Sequence, residues 1–131
     1  MCEREESMQK LQGVRVLIVE DEFLLARDLE SAIREQGGEV VGPIVNLEEA
    51  VATAGREELN AAVLDLNLRG EMSYPVAEVL DRRHIPFLFA TGYSQNRLPN
   101  AFQCRPCLRK PFTWLALTTA LERLIEASSR S

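Results

Sequence analysis

Five short apolar runs alternate with segments of helical periodicity along this chain, and no other feature constrains its fold as tightly. Between the runs, apolar residues recur three and four positions apart, which is typical of helices with one buried face. Strands that alternate with helices form a parallel sheet, and right-handed crossovers place the helices on both of its faces. The sequence therefore predicts an α/β fold, a doubly wound sandwich of three layers.

The positions of the elements follow from their flanking residues. The predicted strands are residues 14–19, 40–45, 61–66, 86–90 and 107–108. The predicted helices are one that ends at Gly37-Gly38, one that begins after the N-cap Asn46, one from Pro75 to about Arg83, and one from Thr113 to about Ala127. Pro99 limits residues 95–103 to a short or irregular fourth helix. The last helix carries a stripe that is expected in the core: Trp114, Leu117, Leu121 and Leu124.

A chain of 131 residues is long enough to bury the core of one domain without disulfides. The polar and aperiodic residues 1–12 predict a disordered tail, and residues 13–128 are predicted to form the domain. Residues 128–131 are polar and show no start of a linker, which leaves open whether the domain comes from a longer protein.

Composition excludes several classes of partner and location. The net charge of −5 argues against nucleic acid as a partner, because phosphate backbones select for an excess of lysine and arginine. No apolar run approaches the roughly 20 residues that span a bilayer, so we expect no membrane association. The charged N-terminus is not a secretory signal, and an odd count of three cysteines fits a reducing compartment. We therefore expect a cytoplasmic protein.

Polar side chains follow four of the five predicted strands, at the point where each apolar run stops. The first strand ends in Glu20-Asp21, the third in Asp65, the fourth in Thr91 and the fifth in Lys110. Functional sites of such folds lie beyond the carboxyl ends of the strands, so these side chains are expected to converge at one edge. Helix caps and solvated loop carboxylates are the plain structural alternative for the acidic residues.

The residue types at these strand ends indicate phosphoryl chemistry. Two carboxylates about 4 Å apart repel by roughly 4 kcal/mol at an effective dielectric constant of about 20, and a divalent cation removes that repulsion. Mg²⁺ suits a site with few carboxylates and several water molecules. An aspartate can act as a nucleophile towards a phosphoryl group and form an acyl phosphate. An ammonium group and a hydroxyl group at the same edge would bind the phosphoryl oxygens.

This ordered series, with Lys110-Pro111-Phe112 at its end, resembles the receiver domain of bacterial two-component response regulators. The resemblance covers about residues 13–128. It implies a flavodoxin-like, five-stranded parallel sheet in the order 2-1-3-4-5 with helices on both faces. It also implies that a histidine kinase or a histidine phosphotransfer protein donates the phosphoryl group.

The resemblance implies a role for each residue at a strand end. Asp65 corresponds to the aspartate that is phosphorylated. Thr91 corresponds to the switch hydroxyl, and Lys110 corresponds to the lysine that contacts the phosphoryl group. The implied Mg²⁺ ligands are Glu20, Asp21, Asp65 and the backbone carbonyl of Asn67.

Residues 86–93, Pro-Phe-Leu-Phe-Ala-Thr-Gly-Tyr, are similar to the signature of free-standing alphaproteobacterial receivers called the FAT-GUY group. Many receivers have an aromatic residue three positions before the lysine, where this chain has Cys107. Tyr93, two residues after Thr91, is therefore the candidate switch aromatic. Cys107 and Cys104 form a Cys-x-x-Cys pair that we expect to be two packing residues, and a redox role for the pair stays open.

These features together predict a stand-alone receiver that accepts a phosphoryl group on Asp65 with Mg²⁺ and signals through protein–protein contact. Such a domain is not an enzyme, beyond any part that it takes in its own phosphorylation and dephosphorylation. The alternatives are a phosphate sink or phosphorelay intermediate with no downstream target, and a small Mg²⁺-dependent phosphohydrolase. The hydrolase is less consistent with the sequence, because such enzymes usually end their first strand in Asp-x-Asp, where this chain has Glu20-Asp21-Glu22.

Overall fold

The computed structural model describes residues 10–92, 102 and 105–130, which form alternating strands and helices. The strands are β1 (Arg15–Val19), β2 (Glu39–Ile44), β3 (Ala61–Asp65), β4 (Asn67–Leu68), β5 (Glu71–Met72), β6 (Phe87–Thr91) and β7 (Cys107–Arg109). The helices are α1 (Phe23–Glu35), α2 (Leu47–Arg56), α3 (Tyr74–Arg82) and α4 (Trp114–Arg130). The predicted fourth helix over residues 95–103 lies outside the described residues, apart from Phe102.

Five strands form one parallel sheet in the order β2-β1-β3-β6-β7. Because β6 and β7 are the predicted fourth and fifth strands, this order confirms the predicted α/β fold and the order 2-1-3-4-5. The strand order reverses between β1 and β3, which are neighbours in the sheet. Sites in sheets of this kind lie at that reversal, beyond the carboxyl ends of the strands.

The core consists of two apolar layers, one on each face of the sheet. On one face, Leu17 and Leu64 pack in a cluster with residues of α2 and α3; on the other, Ile18 and Val63 pack with residues of α1 and α4. Every residue of β3 and β6 is buried, which explains why these strands appear in the sequence as continuous apolar runs. None of the described helices is both long enough and apolar enough to cross a membrane.

The packed domain begins before the predicted boundary at residue 13. Leu11 is 0% exposed and belongs to the apolar layer that α1 and α4 cover. Its amide N–H donates to the carbonyl of Gln36 over 2.8 Å, which joins this segment to the end of α1. The predicted disordered tail over residues 1–12 is therefore wrong at Leu11, because a single apolar residue in a polar segment gives no periodic signal. The other parts of the predicted division, a disordered tail before Leu11 and a domain that ends at residue 128, stay predictions.

A short hairpin follows β3 in a region where periodicity indicates no regular structure. Its strands, β4 and β5, pair in antiparallel orientation. Arg69 and Gly70 form the turn, with positive φ angles of 52° and 92°. Turns with two such residues match the right-handed twist of a hairpin. The hairpin places its turn directly beyond the end of β3.

Trp114 does not lie in the core as its place in the helical stripe predicts. It is 59% exposed, whereas Leu117 and Leu121 of the same stripe are buried. Trp114 is the first residue of α4 and lines the outer groove between α1 and α4. Helical spacing identifies the face of a helix that is buried, but it does not show where along that face the covering element ends.

Candidate functional site

Glu20, Asp21 and Asp65 form an acidic cluster at the carboxyl edge of the sheet. Glu20 follows β1 and Asp65 ends β3, and the pairing of Val19 with Leu64 places these strand ends side by side. One carboxylate oxygen of each of the three residues lies within 4.8 Å of those of the other two. Glu20 is 1% exposed and Asp65 is 7% exposed. The structure thus brings together the three acidic side chains that the sequence analysis assigned to one site.

The donor atoms of the acidic cluster fit a divalent cation. Oε1 of Glu20 is buried and accepts no hydrogen bond from the described residues. Its charged neighbour is Nζ of Lys110 at 3.2 Å, and one ammonium group does not offset three carboxylates, so a bound cation would lower the cost of burying them. Oε2 of Glu20 accepts the amide N–H of Glu22 over 3.1 Å, which orients the carboxylate. A site with oxygen ligands alone and few carboxylates suits Mg²⁺.

Lys110 places an ammonium group beside the acidic cluster. Its Nζ donates a hydrogen bond to Oε2 of Glu20 over 3.4 Å and lies 3.2 Å from Oε1 of the same carboxylate. The same Nζ lies 3.5 Å from Oδ2 of Asp65. A third carboxylate, Oε1 of the exposed Glu22, lies 3.7 Å away. Burial lowers the pKa of Lys110, but the attraction of Asp65 and Glu20 outweighs it, so that the pKa is raised overall. Lys110 therefore stays charged at neutral pH.

The surroundings of Asp65 favour the protonated form of its carboxyl group. Its pKa is raised to about 7, first by burial and second by the negative charge of Glu20. Lys110 opposes the rise, and so does the amide N–H of Asn67, which donates to Oδ1 of Asp65 over 3.3 Å. Without a cation, the carboxyl group of Asp65 is thus about half protonated at neutral pH.

Thr91 and Asn67 lie at the same edge of the sheet. Asp65 pairs in register with Ala90, so Thr91 lies one position further along the neighbouring strand. The carbonyl of Thr91 accepts the amide N–H of Lys110 over 2.8 Å, which joins the ends of β6 and β7. The roles of the Thr91 hydroxyl and the Asn67 carbonyl stay predictions. Tyr93, the candidate switch aromatic, lies outside the described residues.

Cys107 lies on β7 beside a group of aromatic side chains. It pairs in register with Phe89 and is half-buried in the cluster that also contains Phe102. The ring centroids of Phe89 and Phe102 are 5.8 Å apart, in an edge-to-face contact. Burial raises the pKa of the Cys107 thiol, which disfavours the reactive thiolate. Cys104 lies outside the described residues, so the redox role of the pair is not tested.

Arg69 contacts the site through its backbone, a feature that the sequence analysis missed. Its amide N–H donates to Oδ2 of Asp21 over 3.0 Å. The only local signal for this contact was Gly70, which suits the second position of a two-residue hairpin turn. The contact joins the hairpin to one of the predicted metal ligands.

Comparison with known proteins gives one group of curated relatives, and no family model matches the chain. The transcriptional regulatory protein PdtaR of Mycobacterium tuberculosis is 32% identical over 112 residues. The match covers 82% of this chain and 55% of PdtaR. The chain thus spans about half the length of the curated relatives that it matches.

Solved structures match over nearly the whole described fold. SdrG from Sphingomonas melonis Fr1 is 42% identical, with a TM-score of 0.73 over 88% of this chain and 99% of SdrG. The response regulator PhyR from Brucella abortus is 28% identical, with a TM-score of 0.78 over 95% of this chain and 54% of PhyR. The receiver domain of the sensor histidine kinase PA1611 from Pseudomonas aeruginosa shares the fold, at 24% identity and a TM-score of 0.75 over 87% of this chain and 98% of that domain.

The sheet order, the site at its carboxyl edge and these similarities define one class of protein. The chain belongs to the response-regulator receiver domains of two-component systems. Receiver domains are signalling domains of bacterial phosphorelays, which agrees with the class of function that the strand-end residues indicate.

Proposed function

We propose that the protein accepts a phosphoryl group on Asp65 from a phosphohistidine of a histidine kinase or a histidine phosphotransfer protein. One observation carries the proposal: the buried carboxylates of Glu20 and Asp65 lie in a cluster with Asp21, beside the ammonium group of Lys110. Glu20, Asp21, Asp65 and the backbone carbonyl of Asn67 would hold Mg²⁺. The PA1611 receiver domain, which was solved with a magnesium ion coordinated in its active site cleft, supports this choice of ion.

Asp65 is the nucleophile of the proposed reaction and reacts as the carboxylate. One of its oxygens forms a bond to phosphorus while the phosphorus–nitrogen bond of phosphohistidine breaks, and the electron pair of that bond stays on the imidazole. When bound, Mg²⁺ offsets negative charge on the carboxylates and on a phosphoryl oxygen. Lys110 and the hydroxyl of Thr91 bind the remaining phosphoryl oxygens.

The phosphorylated protein would act as a stand-alone receiver in the cytoplasm and would signal through contact with another protein. Thr91 and Lys110 would bind the phosphoryl group on Asp65. Phosphorylation would therefore favour the conformation in which both residues contact it. Protein capture with beryllofluoride-treated and untreated samples tests the output. Capture of a partner besides the kinase supports signalling, whereas capture of the kinase alone supports a phosphate sink.

Incubation with Mg²⁺ and acetyl phosphate, followed by measurement of the intact mass, tests the phosphorylation itself. We expect the wild type to gain one phosphoryl group and Asp65→Asn to gain none. Asp28→Asn, on the exposed face of α1, is the matched control and should behave like the wild type. A wild type that gains no phosphoryl group, or an unchanged gain in Asp65→Asn, contradicts the proposal. Steady turnover of a phosphomonoester would instead favour a phosphohydrolase.

A further inference from the structure

Arg69 has a backbone conformation that arginine seldom adopts. Its φ of 52° lies in the left-handed region, which favours glycine and asparagine. The other non-glycine residue with positive φ in the described part of the chain is His84, which follows the end of α3, where left-handed residues commonly close helices. Arg69 instead occupies a hairpin turn that Asn-Gly would fit better. An unfavourable residue at such a position points to a role for its side chain.

The turn holds Arg69 at the rim of the acidic cluster. The amide N–H of Arg69 donates to Oδ2 of Asp21 over 3.0 Å. The next amide N–H, that of Gly70, donates to Oδ1 of Asn67 over 2.7 Å. The first hydrogen bond fixes the turn relative to Asp21, a predicted metal ligand, and the second closes the turn on its own strand, β4. The Arg69 side chain therefore starts beside the site whichever rotamer it adopts.

The guanidinium of Arg69 has no carboxylate within salt-bridge distance in the described part of the chain. Arg69 is exposed and lines a cavity of about 290 Å³ together with Glu20 and Asp21. Arg27 lines the same cavity, but its guanidinium lies over the ring of Phe23, 5.7 Å from the centroid. Arg69 thus carries a positive charge beside Glu20 and Asp21, without a carboxylate partner that it would have to leave. Asp65 does not line this cavity, but one of its carboxylate oxygens lies within 4.8 Å of one of Asp21, to which the turn is bonded.

The charge balance of the site indicates what Arg69 would bind. Lys110 and a bound divalent cation would together offset the three carboxylates of the acidic cluster. Phosphorylation replaces the single negative charge of Asp65 with the two of a phosphoryl group and so adds a negative charge to a site whose ammonium group, Lys110, already contacts Glu22 as well. We propose that the guanidinium of Arg69 binds an oxygen of the phosphoryl group at Asp65. This inference rests on the proposed function.

Arg69→Gly tests the inference, because it removes the guanidinium and also relieves the left-handed backbone. We expect the affinity for beryllofluoride, a phosphoryl analogue, to fall about tenfold in excess Mg²⁺, as for the loss of one charge-assisted hydrogen bond. The thermal midpoint of the metal-free variant should rise, since glycine accepts the φ of Arg69 without strain. Arg69→Lys keeps the charge without the planar fork and should lose less affinity than Arg69→Gly.

Arg27→Gln is the matched control, because it removes a positive charge from the same cavity. Its affinity for beryllofluoride should stay within about twofold of the wild type, since screening weakens the effect of an exposed charge. The affinity for Mg²⁺ alone should stay within about twofold in Arg69→Gly as well, because glycine keeps the backbone N–H that bonds Asp21 and screening weakens the effect of an exposed charge.

Three results would overturn the inference. One is an unchanged affinity for beryllofluoride in Arg69→Gly, and another is an equal loss in Arg27→Gln, which would show an effect of overall charge. The third is a loss of stability in Arg69→Gly that accompanies weaker binding, which would give Arg69 a structural role. A wild type that takes neither beryllofluoride nor a phosphoryl group removes the proposed function itself. If the wild type binds beryllofluoride and gains a phosphoryl group, and Arg69→Gly does so equally well, the proposed function is supported and only the role of Arg69 is contradicted.

Discussion

Asp65 has two requirements that conflict in the metal-free protein. Burial and the charge of Glu20 raise its pKa to about 7, whereas the proposed attack on phosphorus would require the carboxylate form. A cation at the acidic cluster resolves the conflict, because it favours the deprotonated carboxyl group. If the proposed cation binds, its binding should therefore release a proton from Asp65.

The affinity for Mg²⁺ should rise as the pH increases from about 6 to about 8 and then level off, since the ion binds the form of Asp65 that predominates above its pKa of about 7. Calorimetric titration in two buffers of different ionisation enthalpy measures both the affinity and the proton released. In Asp65→Asn the remaining, weaker binding should lose this pH dependence. An affinity for Mg²⁺ that is flat over the same range in the wild type would contradict the assignment.

Asp65→Asn should stabilise the metal-free protein at alkaline pH. The pKa of Asp65 is about 7 in the folded state, against an ordinary value of 3.8 in the unfolded state. The protonated carboxyl group of Asp65 therefore contributes fully to the free energy of unfolding below about pH 4, and this contribution is lost as the pH rises through 7. Asparagine does not titrate, so the variant should gain on the order of a few kcal/mol of unfolding free energy at about pH 8 and much less at about pH 5. Urea unfolding with a chelator present measures the difference.

Asp28→Asn is the control for this measurement, because Asp28 is exposed on α1. Its unfolding free energy should follow that of the wild type at both pH values. A gain in Asp65→Asn that is the same at both pH values would mean that the stabilisation does not come from the titration of Asp65.

At the scale of the elements, α2 and α3 are joined by a side chain far from the acidic cluster. Arg83, at the end of α3, donates through Nη1 to the backbone carbonyls of Ala54 and Glu57 at the end of α2. The last carbonyls of a helix lack partners within the helix, and they carry the negative end of its dipole. Arg83, at the end of α3, therefore provides hydrogen-bond donors for carbonyl groups at the end of α2.

Arg83→Met should lower the free energy of unfolding by about 1–3 kcal/mol, because it removes charge-assisted hydrogen bonds to carbonyl groups. Arg82 is exposed, as Arg83 is, but has no such hydrogen bond to α2 among the described residues, so Arg82→Met should change this free energy by less than about 0.5 kcal/mol. Chemical denaturation of the two variants gives the comparison. Equal stabilities would show that the contact contributes nothing, and a changed Mg²⁺ affinity in Arg83→Met would mean that its effect reaches the acidic cluster.

Elements with local signals were predictable from the sequence, and those held by distant residues were not. The N-cap Asn46 behaves as predicted, since its Oδ1 accepts the amide N–H of Glu49 over 2.8 Å, three residues further on. The hairpin turn at Arg69 is held by a hydrogen bond to Asp21, which follows another strand. The residues next to Arg69 in the sequence do not indicate this bond. The same holds for Trp114, whose exposure depends on where the groove against α1 ends.

At the scale of the whole molecule, the position of the site was predictable because a parallel sheet places all its carboxyl ends at one edge. Glu20, Asp65 and Lys110 meet there, as the order of strand-end residues predicts. The extent of the domain was less predictable. Leu11 joins the domain through its burial and a backbone hydrogen bond to Gln36, and in the sequence a lone leucine in a polar segment is indistinguishable from an exposed one.

Leu11→Ala should lower the free energy of unfolding by about 2–4 kcal/mol, because it leaves a cavity in the layer under α1 and α4. Leu115→Ala removes the same atoms from a side chain that is 53% exposed and should cost less than about 1 kcal/mol. Thermal and urea unfolding measure both. A Leu11→Ala protein as stable as Leu115→Ala would place the start of the packed domain after residue 11, as the sequence alone suggested.

The complete burial of β3 has a consequence for the rates at which parts of the site exchange hydrogen with deuterium. Amide hydrogens of β3, between β1 and β6, should exchange only when the entire domain unfolds, whereas those of the β4–β5 hairpin should exchange through local opening. Asp65 ends the slow segment, and the fast segment begins two residues later, at Asn67. After beryllofluoride binding, mass spectrometry should show slower hydrogen–deuterium exchange in the hairpin. The slow exchange of β3 amide hydrogens serves as the internal reference.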